Sequence, residues 1–112
     1  MKNKVVNWLF QVPVGIYDLS HLVNEDINKT LQGIGYTEND LVDGIRGNQD
    51  PSKIPELNYL YNEFQKYVDD YSNEIGIQTS HIYESWMNIL TMNGSVGVHR
   101  HYDSVILSLI HI

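Results

Sequence analysis

The sequence predicts a single α+β domain that spans residues 1–112, and three observations lead to this prediction. β-branched and aromatic residues lie near the N-terminus, an apolar stripe with helical spacing runs through the middle, and a strand-prone tail follows Gly76. Strands at both ends of a chain with helices between them are typical of an α+β domain rather than of a doubly wound sheet.

The first half of the chain is predicted to form one strand and two short helices. Residues 5–19 are strand-prone but contain Pro13, which favours a bent or edge strand. Apolar residues recur at helical spacing over residues 22–33 and predict a short helix. Residues 37–40, Thr-Glu-Asn-Asp, resemble a capping box and predict the start of a second helix. Residues 43–53 are rich in Gly, Asn, Asp and Pro and are predicted to form a loop.

The clearest element is a long helix with Ser52 as its candidate N-cap and Gly76 as its stop. Core packing explains its apolar stripe without a cofactor site, and the stripe consists of Leu57, Leu60, Tyr61, Phe64, Tyr67, Val68, Tyr71 and Ile75. After the helix, residues 77–92 and 96–112 are rich in strand-forming residues. The dipeptide Asn93-Gly94 predicts a turn between them.

Charge and composition narrow the class of protein. Fourteen acidic residues against seven basic ones give a net charge of −7, which disfavours a nucleic acid partner. Asp69 and Asp70, with Glu63 and Glu74, are interpreted as a solvated helix face. The chain has no Cys, so any metal must use His, carboxylate or water, and a reducing cytoplasmic location is expected. The N-terminal residues predict neither a signal peptide nor a membrane span.

Three metal-competent residues recur at every second position near the C-terminus: His99, His101 and Asp103. In an extended strand these side chains share one face, and two imidazoles with a carboxylate form the ligand set of non-haem Fe(II) oxygenases. Two simpler interpretations remain open. The histidines are surface residues on a solvated strand, or they bind Zn(II) with waters completing the coordination.

The segment around these residues resembles a known family. Trp86 and Asn88, then the Asn93-Gly94 turn, then His99 and His101 follow one another in order. This order is similar to the Trp-x-Asn strand, glycine-containing turn and His-x-His pair of 2-oxoglutarate/Fe(II)-dependent oxygenases from marine phages and bacteria. Residues 8–14 are similar to the opening strand of that family, so the resemblance covers nearly all of the chain.

The resemblance implies a fold, two cofactors and a set of site residues. The fold is an N-terminal strand and helices packed on the beginning of a double-stranded β-helix, or jelly-roll, sheet that is incomplete at the C-terminus. The cofactors are Fe(II) and 2-oxoglutarate, and the reaction is a hydroxylation whose substrate stays open. Asn88 and Trp86 are implied to hold 2-oxoglutarate, and His99, His101 and Asp103 are implied to hold the metal. A phage-encoded protein would act in the host cytoplasm.

Two ligand registers remain open. The pair His99 and His101 fits the turn and strand better, whereas His101 and Asp103 form the more usual His-x-Asp pair. Residues 107–112 replace the family's Ser-Gly-Val-Tyr-Tyr strand, and the family's third ligand and cosubstrate-binding Arg lie further along the chain. We therefore expect a truncated or frameshifted oxygenase, inactive alone, whose exposed sheet edge favours self-association. The alternative is a non-catalytic interaction or Zn-binding domain with an oxygenase-like or unrelated α+β fold.

Overall fold

The structure, a computed structural model, describes residues 3–9, 12–39, 42–78 and 80–97 and the single positions 101, 106 and 108. Its strands and α-helices are, in chain order, β1 (Lys4–Leu9), β2 (Val12–Tyr17), α1 (Glu25–Gln32), β3 (Tyr36–Asn39), β4 (Val42–Gly47), α2 (Asn58–Ile75) and β5 (Asn88–Leu90). Strands β1 and β2 form one antiparallel sheet, and β3, β4 and β5 form a second in that order. The predicted α+β class is confirmed.

The N-terminal sheet is a two-stranded ribbon, so the prediction of a single strand over residues 5–19 is wrong, although Pro13 lies in an edge strand as expected. Val5 pairs with Ile16 and Val6 with Gly15. Successive strand residues point to opposite faces, which leaves Val12, Val14 and Ile16 exposed while their neighbours are partly buried. A side chain at Gly15 would lie 2.7 Å from the Tyr71 ring, so the inner face of the ribbon contacts α2 closely.

The second sheet replaces two predicted elements. Residues 37–40 were predicted to start a helix, but residues 37–39 belong to β3. Residues 43–53 were predicted to form a loop, but residues 43–47 belong to β4, and the irregular part is residues 48–50. Cross-strand pairing outweighs the local capping pattern there, because Thr37 pairs with Arg46. A Cβ at Gly44 would lie 2.0 Å from the Ile89 carbonyl oxygen, so glycine marks a close backbone approach here rather than a loop.

Helix α1 confirms the helix that residues 22–33 predict, with a later start. The Asn24 side chain caps the helix by accepting a hydrogen bond from the Ile27 amide at 2.9 Å. The carboxylates of Glu25 and Asp26 lie in the first turn, where they interact favourably with the helix dipole. Gly33 ends the helix as predicted, and the helix buries Ile27 against the core.

Helix α2 confirms the long helix and the stop at Gly76, which adopts a left-handed conformation with φ of 74°. Ser52 does not cap it. Ser52 lies in a short 3₁₀ helix, Pro51–Lys53, whose N-cap is Asp50. The apolar stripe packs as predicted, since α2 and its flanks supply three of the core residues Leu22, Ile27, Leu31, Ile34, Leu57, Leu60 and Phe64.

The acidic face of α2 is only partly solvated, because Asp70 is half-buried, whereas Glu74 is exposed as the interpretation of a solvated face expects. Lys4 Nζ lies 2.9 Å from Asp70 and 2.6 Å from Glu74. The Tyr17 hydroxyl donates to Asp70 at 3.1 Å. The lysine lowers the pKa of the Asp70 carboxyl, while burial, followed by the Asp70 contact, raises the pKa of Tyr17 to about 12. These contacts fasten the ribbon to α2.

The segment between α2 and β5 has little regular structure, although residues 77–92 were predicted to be strand-prone. Gln65 on α2 holds it, since its Nε2 donates to the Ser80 carbonyl at 2.5 Å and its Oε1 accepts from the Ile82 amide at 3.2 Å. The predicted turn at Asn93-Gly94 is confirmed by a hydrogen bond from the Gly94 amide to the Thr91 carbonyl at 2.8 Å.

The C-terminal region gives a partial test of the predicted strand over residues 96–112. Val96 forms an isolated bridge, and the described positions 101, 106 and 108 are not in a strand. The remaining positions from 98 onward lie outside the described residues. Among the described helices, none has the length and apolar character that crossing a membrane requires.

Candidate functional site

The two predicted cosubstrate residues lie at the three-stranded sheet. Asn88 pairs with Arg46 across β5 and β4, and directly opposed residues place their side chains on the same face. The neighbouring residue Met87 packs on the helical core with Tyr36, whose hydroxyl contacts the Met87 sulfur at 3.2 Å. Because faces alternate along a strand, Asn88 and Arg46 point away from that core.

Trp86 joins these residues to His101. The Arg46 guanidinium carbon lies 5.7 Å from the centre of the indole ring. The His101 imidazole stacks on the same indole, with ring centres 5.0 Å apart and an angle of 14° between the planes. A guanidinium over an indole contributes about 0.5–2 kcal/mol, depending on how far it is desolvated. We call Arg46, Trp86, Asn88 and His101 the open-face cluster.

The amide of Asn88 carries an unsatisfied polar atom. Its Oδ1 is buried and has no hydrogen-bond partner among the described residues. A buried acceptor without a donor costs about 1–3 kcal/mol, so natural structures pair such atoms with protein, water or ligand. The residue as a whole is only half-buried, which places its amide at the boundary between the sheet and solvent. A ligand that brings a donor to this position would remove the cost.

A chain of hydrogen bonds fixes the residue that precedes Trp86. The Tyr61 hydroxyl donates to Ser85 Oγ at 2.9 Å, and Ser85 Oγ donates to Asp50 Oδ1 at 2.5 Å. Asp50 also accepts from the Ser52 hydroxyl at 2.6 Å. Burial acts to raise the pKa of the Asp50 carboxyl, but the hydrogen bonds from Ser52 and Ser85 outweigh it and leave the pKa below its usual value. The ionised Asp50 therefore holds the 85–86 backbone in place.

The structure brings together part of the predicted site. Trp86 contacts His101, and Asn88 lies two residues beyond Trp86 on the adjoining strand. His99 and Asp103 lie outside the described residues, so the two ligand registers both stay predictions. Within the part of the chain that the structure describes, no three His, Asp or Glu side chains are grouped closely enough to hold a metal ion.

Arg46 is the member of the cluster that sequence reasoning missed. It lies in the stretch Asp43-Gly44-Ile45-Arg46-Gly47, where the two glycines favoured a loop. The alternation of Ile45 with polar neighbours is a strand pattern, and a glycine inside a strand often marks a close backbone approach. Interpreted in that way, the stretch would have placed Arg46 on a strand, although its partner Asn88 is 42 residues away in sequence.

A depression of about 310 Å³ lies elsewhere, between α1 and the start of α2. Its lining includes the carboxylates of Asp26 and Glu56 and the exposed ring of Tyr59. These side chains are separate from the open-face cluster, and the two carboxylates make no described ion pair. We therefore place the candidate site at the sheet, where a cation, stacked rings and an unsatisfied amide coincide.

The open-face cluster suits a polar ligand better than it suits a metal by itself. The unsatisfied Asn88 amide and the Arg46 guanidinium fit a small molecule with oxygen atoms. Imidazole and carboxylate donors at His99, His101 and Asp103 are of the type that Fe(II) and Zn(II) accept. No family model, curated protein or solved structure matches this chain. The functional assignment therefore depends on the residues themselves.

Proposed function

We propose that this protein is a 2-oxoglutarate/Fe(II)-dependent oxygenase of the hydroxylase type. One observation carries the proposal. Three residues named by the family resemblance, Trp86, Asn88 and His101, lie at one sheet, with His101 stacked on Trp86. Under this proposal, the three-stranded sheet is the beginning of the jelly-roll sheet.

Each residue of the cluster has a role under this proposal. His101, with His99 or Asp103, holds the metal, and the Trp86 indole fixes the plane of the His101 imidazole. The Asn88 amide nitrogen donates a hydrogen bond to 2-oxoglutarate, whose ketone and carboxylate oxygens only accept. Fe(II), 2-oxoglutarate and dioxygen together supply the oxidising power for hydroxylation of a C–H bond. The protein binds, orients and shields these reactants.

Anaerobic titration with Fe(II) and 2-oxoglutarate tests the proposal. The chelate of the two on imidazole ligands gives a visible charge-transfer band, and we expect this band with the wild-type chain. Replacing each of His99, His101 and Asp103 with Ala in turn decides the register, because only true ligands abolish the band. The exposed His81, replaced in the same way, is the matched control. A folded wild-type protein that gives no band overturns the proposal.

A second candidate is a non-catalytic interaction domain, and one observation favours it. Four large apolar side chains on the outer face of the ribbon are exposed: Val5 by 54%, Val12 by 60%, Val14 by 37% and Ile16 by 59%. Exposed apolar patches of this kind often mark contacts with another chain. Sedimentation velocity over a concentration series separates the candidates. A self-associating chain that becomes monomeric on Ile16→Thr and gives no iron band supports the second.

A further inference from the structure

We propose that Arg46 and Asn88 form a metal-independent binding site for a small carboxylate that carries a hydrogen-bond donor next to its carboxyl group. The inference rests on the proposed function in one respect, because both take the open-face cluster to be the ligand-binding part of the protein. It adds Arg46 to the site, and it defines the ligand by a carboxylate that Arg46 binds and a hydrogen-bond donor that Asn88 accepts.

The first argument is the position of Arg46 among the charges of the chain. The protein has twice as many acidic as basic residues, and Lys4, Lys29 and Lys66 each pair with a carboxylate. None of the ion pairs among the described residues involves Arg46, although its side chain is half-buried. Its guanidinium contacts the Trp86 ring instead. A partly desolvated cation that pairs with no carboxylate among the described residues is suited to bind an anion from solution.

The second argument is the neighbour of Arg46 on the sheet. Asn88 is its directly opposed partner, and the Cβ atoms of such partners lie about 4.5–5.5 Å apart. The guanidinium offers donors only, whereas the unsatisfied Oδ1 of Asn88 requires a donor from its partner. The torsion of a terminal amide turns easily, so this oxygen can face an incoming group.

The two residues together define the ligand. A planar carboxylate matches the two-pronged donor geometry of a guanidinium. A hydroxyl or amine on the adjacent carbon then lies within reach of the Asn88 amide, at the spacing that cross-strand partners set. Trp86 supports the guanidinium from one side and stacks with His101, so the cluster is suited to a small ligand.

A titration of the metal-free protein tests the proposal. The probes are 2-hydroxyglutarate and glutarate, which differ only in the hydroxyl group, and a chelator keeps metal ions out. Side-chain NMR signals of the Arg46 Nε–H and the Asn88 amide report on binding at the site. We expect both signals to shift and 2-hydroxyglutarate to bind about fivefold more tightly than glutarate, which is the effect of one hydrogen bond of roughly 1 kcal/mol.

Substitutions assign the two contacts. Arg46→Gln should weaken both probes at least about tenfold, since a charge-assisted hydrogen bond contributes roughly 1.5–3 kcal/mol. Arg46→Lys keeps the charge without the fork and should retain part of the affinity. Asn88→Leu should make the two probes bind equally. Lys53→Gln, an exposed cation without a described ion pair, is the control and should change nothing. Circular dichroism verifies that each variant is folded.

The outcomes separate this inference from the proposed function. Wild-type and Arg46→Gln proteins that bind the probes equally overturn the inference, as do equal wild-type affinities for the two probes. If the inference fails in this way but the charge-transfer band of Fe(II) and 2-oxoglutarate forms, the oxygenase proposal still holds. If the metal-free protein binds 2-hydroxyglutarate through Arg46 and never gives the iron band, the carboxylate site holds and the oxygenase proposal fails.

Discussion

The two sheets of this protein pack on the helices in different ways, the ribbon on α2 and the second sheet on the core that both helices form. The ribbon of β1 and β2 is fastened through polar side-chain atoms, with Lys4 and Tyr17 on Asp70 and the Tyr71 hydroxyl donating to the Pro13 carbonyl at 2.7 Å. The β3–β4–β5 sheet contacts the core through Tyr36 and Met87. The outer face of the ribbon exposes apolar side chains, whereas the second sheet carries the half-buried Arg46 and Asn88 beside the exposed Leu90.

This difference indicates what each outer face is for. The outer residues Val12 and Ile16 of the ribbon expose apolar surface to water, which is unfavourable, so that face is suited to contact with another protein. The outer face of the second sheet carries Arg46 and the unsatisfied Asn88 amide, which suits a polar ligand. Substitutions that affect only one sheet should therefore separate association from ligand binding.

The largest expected effect is on the three-stranded sheet. Gly44→Ala places a Cβ where the Ile89 carbonyl oxygen lies only 2.0 Å away, so β5 must move away from β4. We expect a loss on the order of 3 kcal/mol in the free energy of unfolding, at the upper end for overpacking, measured by urea denaturation. Shifts of the Asn88 signals with unchanged ribbon signals would show that the damage is confined to this sheet.

The control for that variant is Gly33→Ala. An added Cβ at Gly33 has its nearest contacts at 3.4 Å and the residue has a negative φ, so the change should alter the free energy of unfolding by less than about 0.5 kcal/mol. Equal losses for both glycines would contradict the view that Gly44 is required by a close backbone approach.

A smaller effect is expected from Gly15→Ala in the ribbon. The added Cβ would meet the Tyr71 ring at 2.7 Å, but a ring can give way more easily than a backbone. We expect a loss of about 1–2 kcal/mol in urea denaturation, together with faster hydrogen exchange in β1 and β2. Unchanged exchange in the ribbon would contradict close packing of β2 on α2.

Removal of the Tyr71 hydroxyl should lower the free energy of unfolding by less than the Gly15 substitution does. Tyr71→Phe deletes the hydrogen bond to the Pro13 carbonyl and should cost about 1 kcal/mol in thermal or urea denaturation. Tyr59→Phe is the matched control, because Tyr59 is 63% exposed and should show almost no change. The hydrogen bond contributes nothing if the two variants are equally stable.

The smallest expected effect is a selective loosening of the ribbon at alkaline pH. The pKa of Tyr17 is raised to about 12 and that of Lys4 is also raised, so the unfolded chain releases these protons first. Their stabilisation is complete below about pH 10 and is lost as pH rises towards the folded values. Solvent screening limits the Tyr17 contribution to less than about 1 kcal/mol.

Tyrosine absorbance during an alkaline titration measures that loss. Burial also raises the pKa of Tyr36 and Tyr61, so the wild type should show several tyrosines that titrate late, and Tyr17→Phe should remove one of them. An unchanged number of late tyrosines in the variant would contradict a raised pKa at Tyr17. At acid pH the opposite holds for Asp50 and Asp70. Their lowered pKa values stabilise the fold above about pH 4 and lose that effect as pH falls.

Local patterns predicted the helices well and the strands poorly. The spacing of Leu60 and Phe64 and the stop at Gly76 depend only on neighbours in sequence, and both are confirmed. Pairing of β1 with β2 was missed because Phe10-Gln11 has no turn signature and Pro13 resembles a strand break. Strand β3 was missed because the capping pattern is local, whereas its pairing depends on residues further along the chain.

The candidate site shows the same division. Trp86 and Asn88 could be named because they stand two residues apart in a recognisable order. Arg46 could not, since its position beside Asn88 depends on the register of two strands 42 residues apart. The unsatisfied Asn88 oxygen is likewise a property of packing, which no single segment of sequence specifies.

Hydrogen bonds from side chains of α2 hold the irregular segment before β5, and they imply an order of folding. Gln65 and Tyr61 supply the groups that hold Ser80, Ile82 and Ser85, and they are correctly placed only once the helix exists. A helix forms in about a microsecond, whereas contacts between distant segments close more slowly. We therefore expect β5 to join its sheet last in folding and to leave it first in native-state fluctuations. The Asn88 amide would then be the part of the cluster that opens most often.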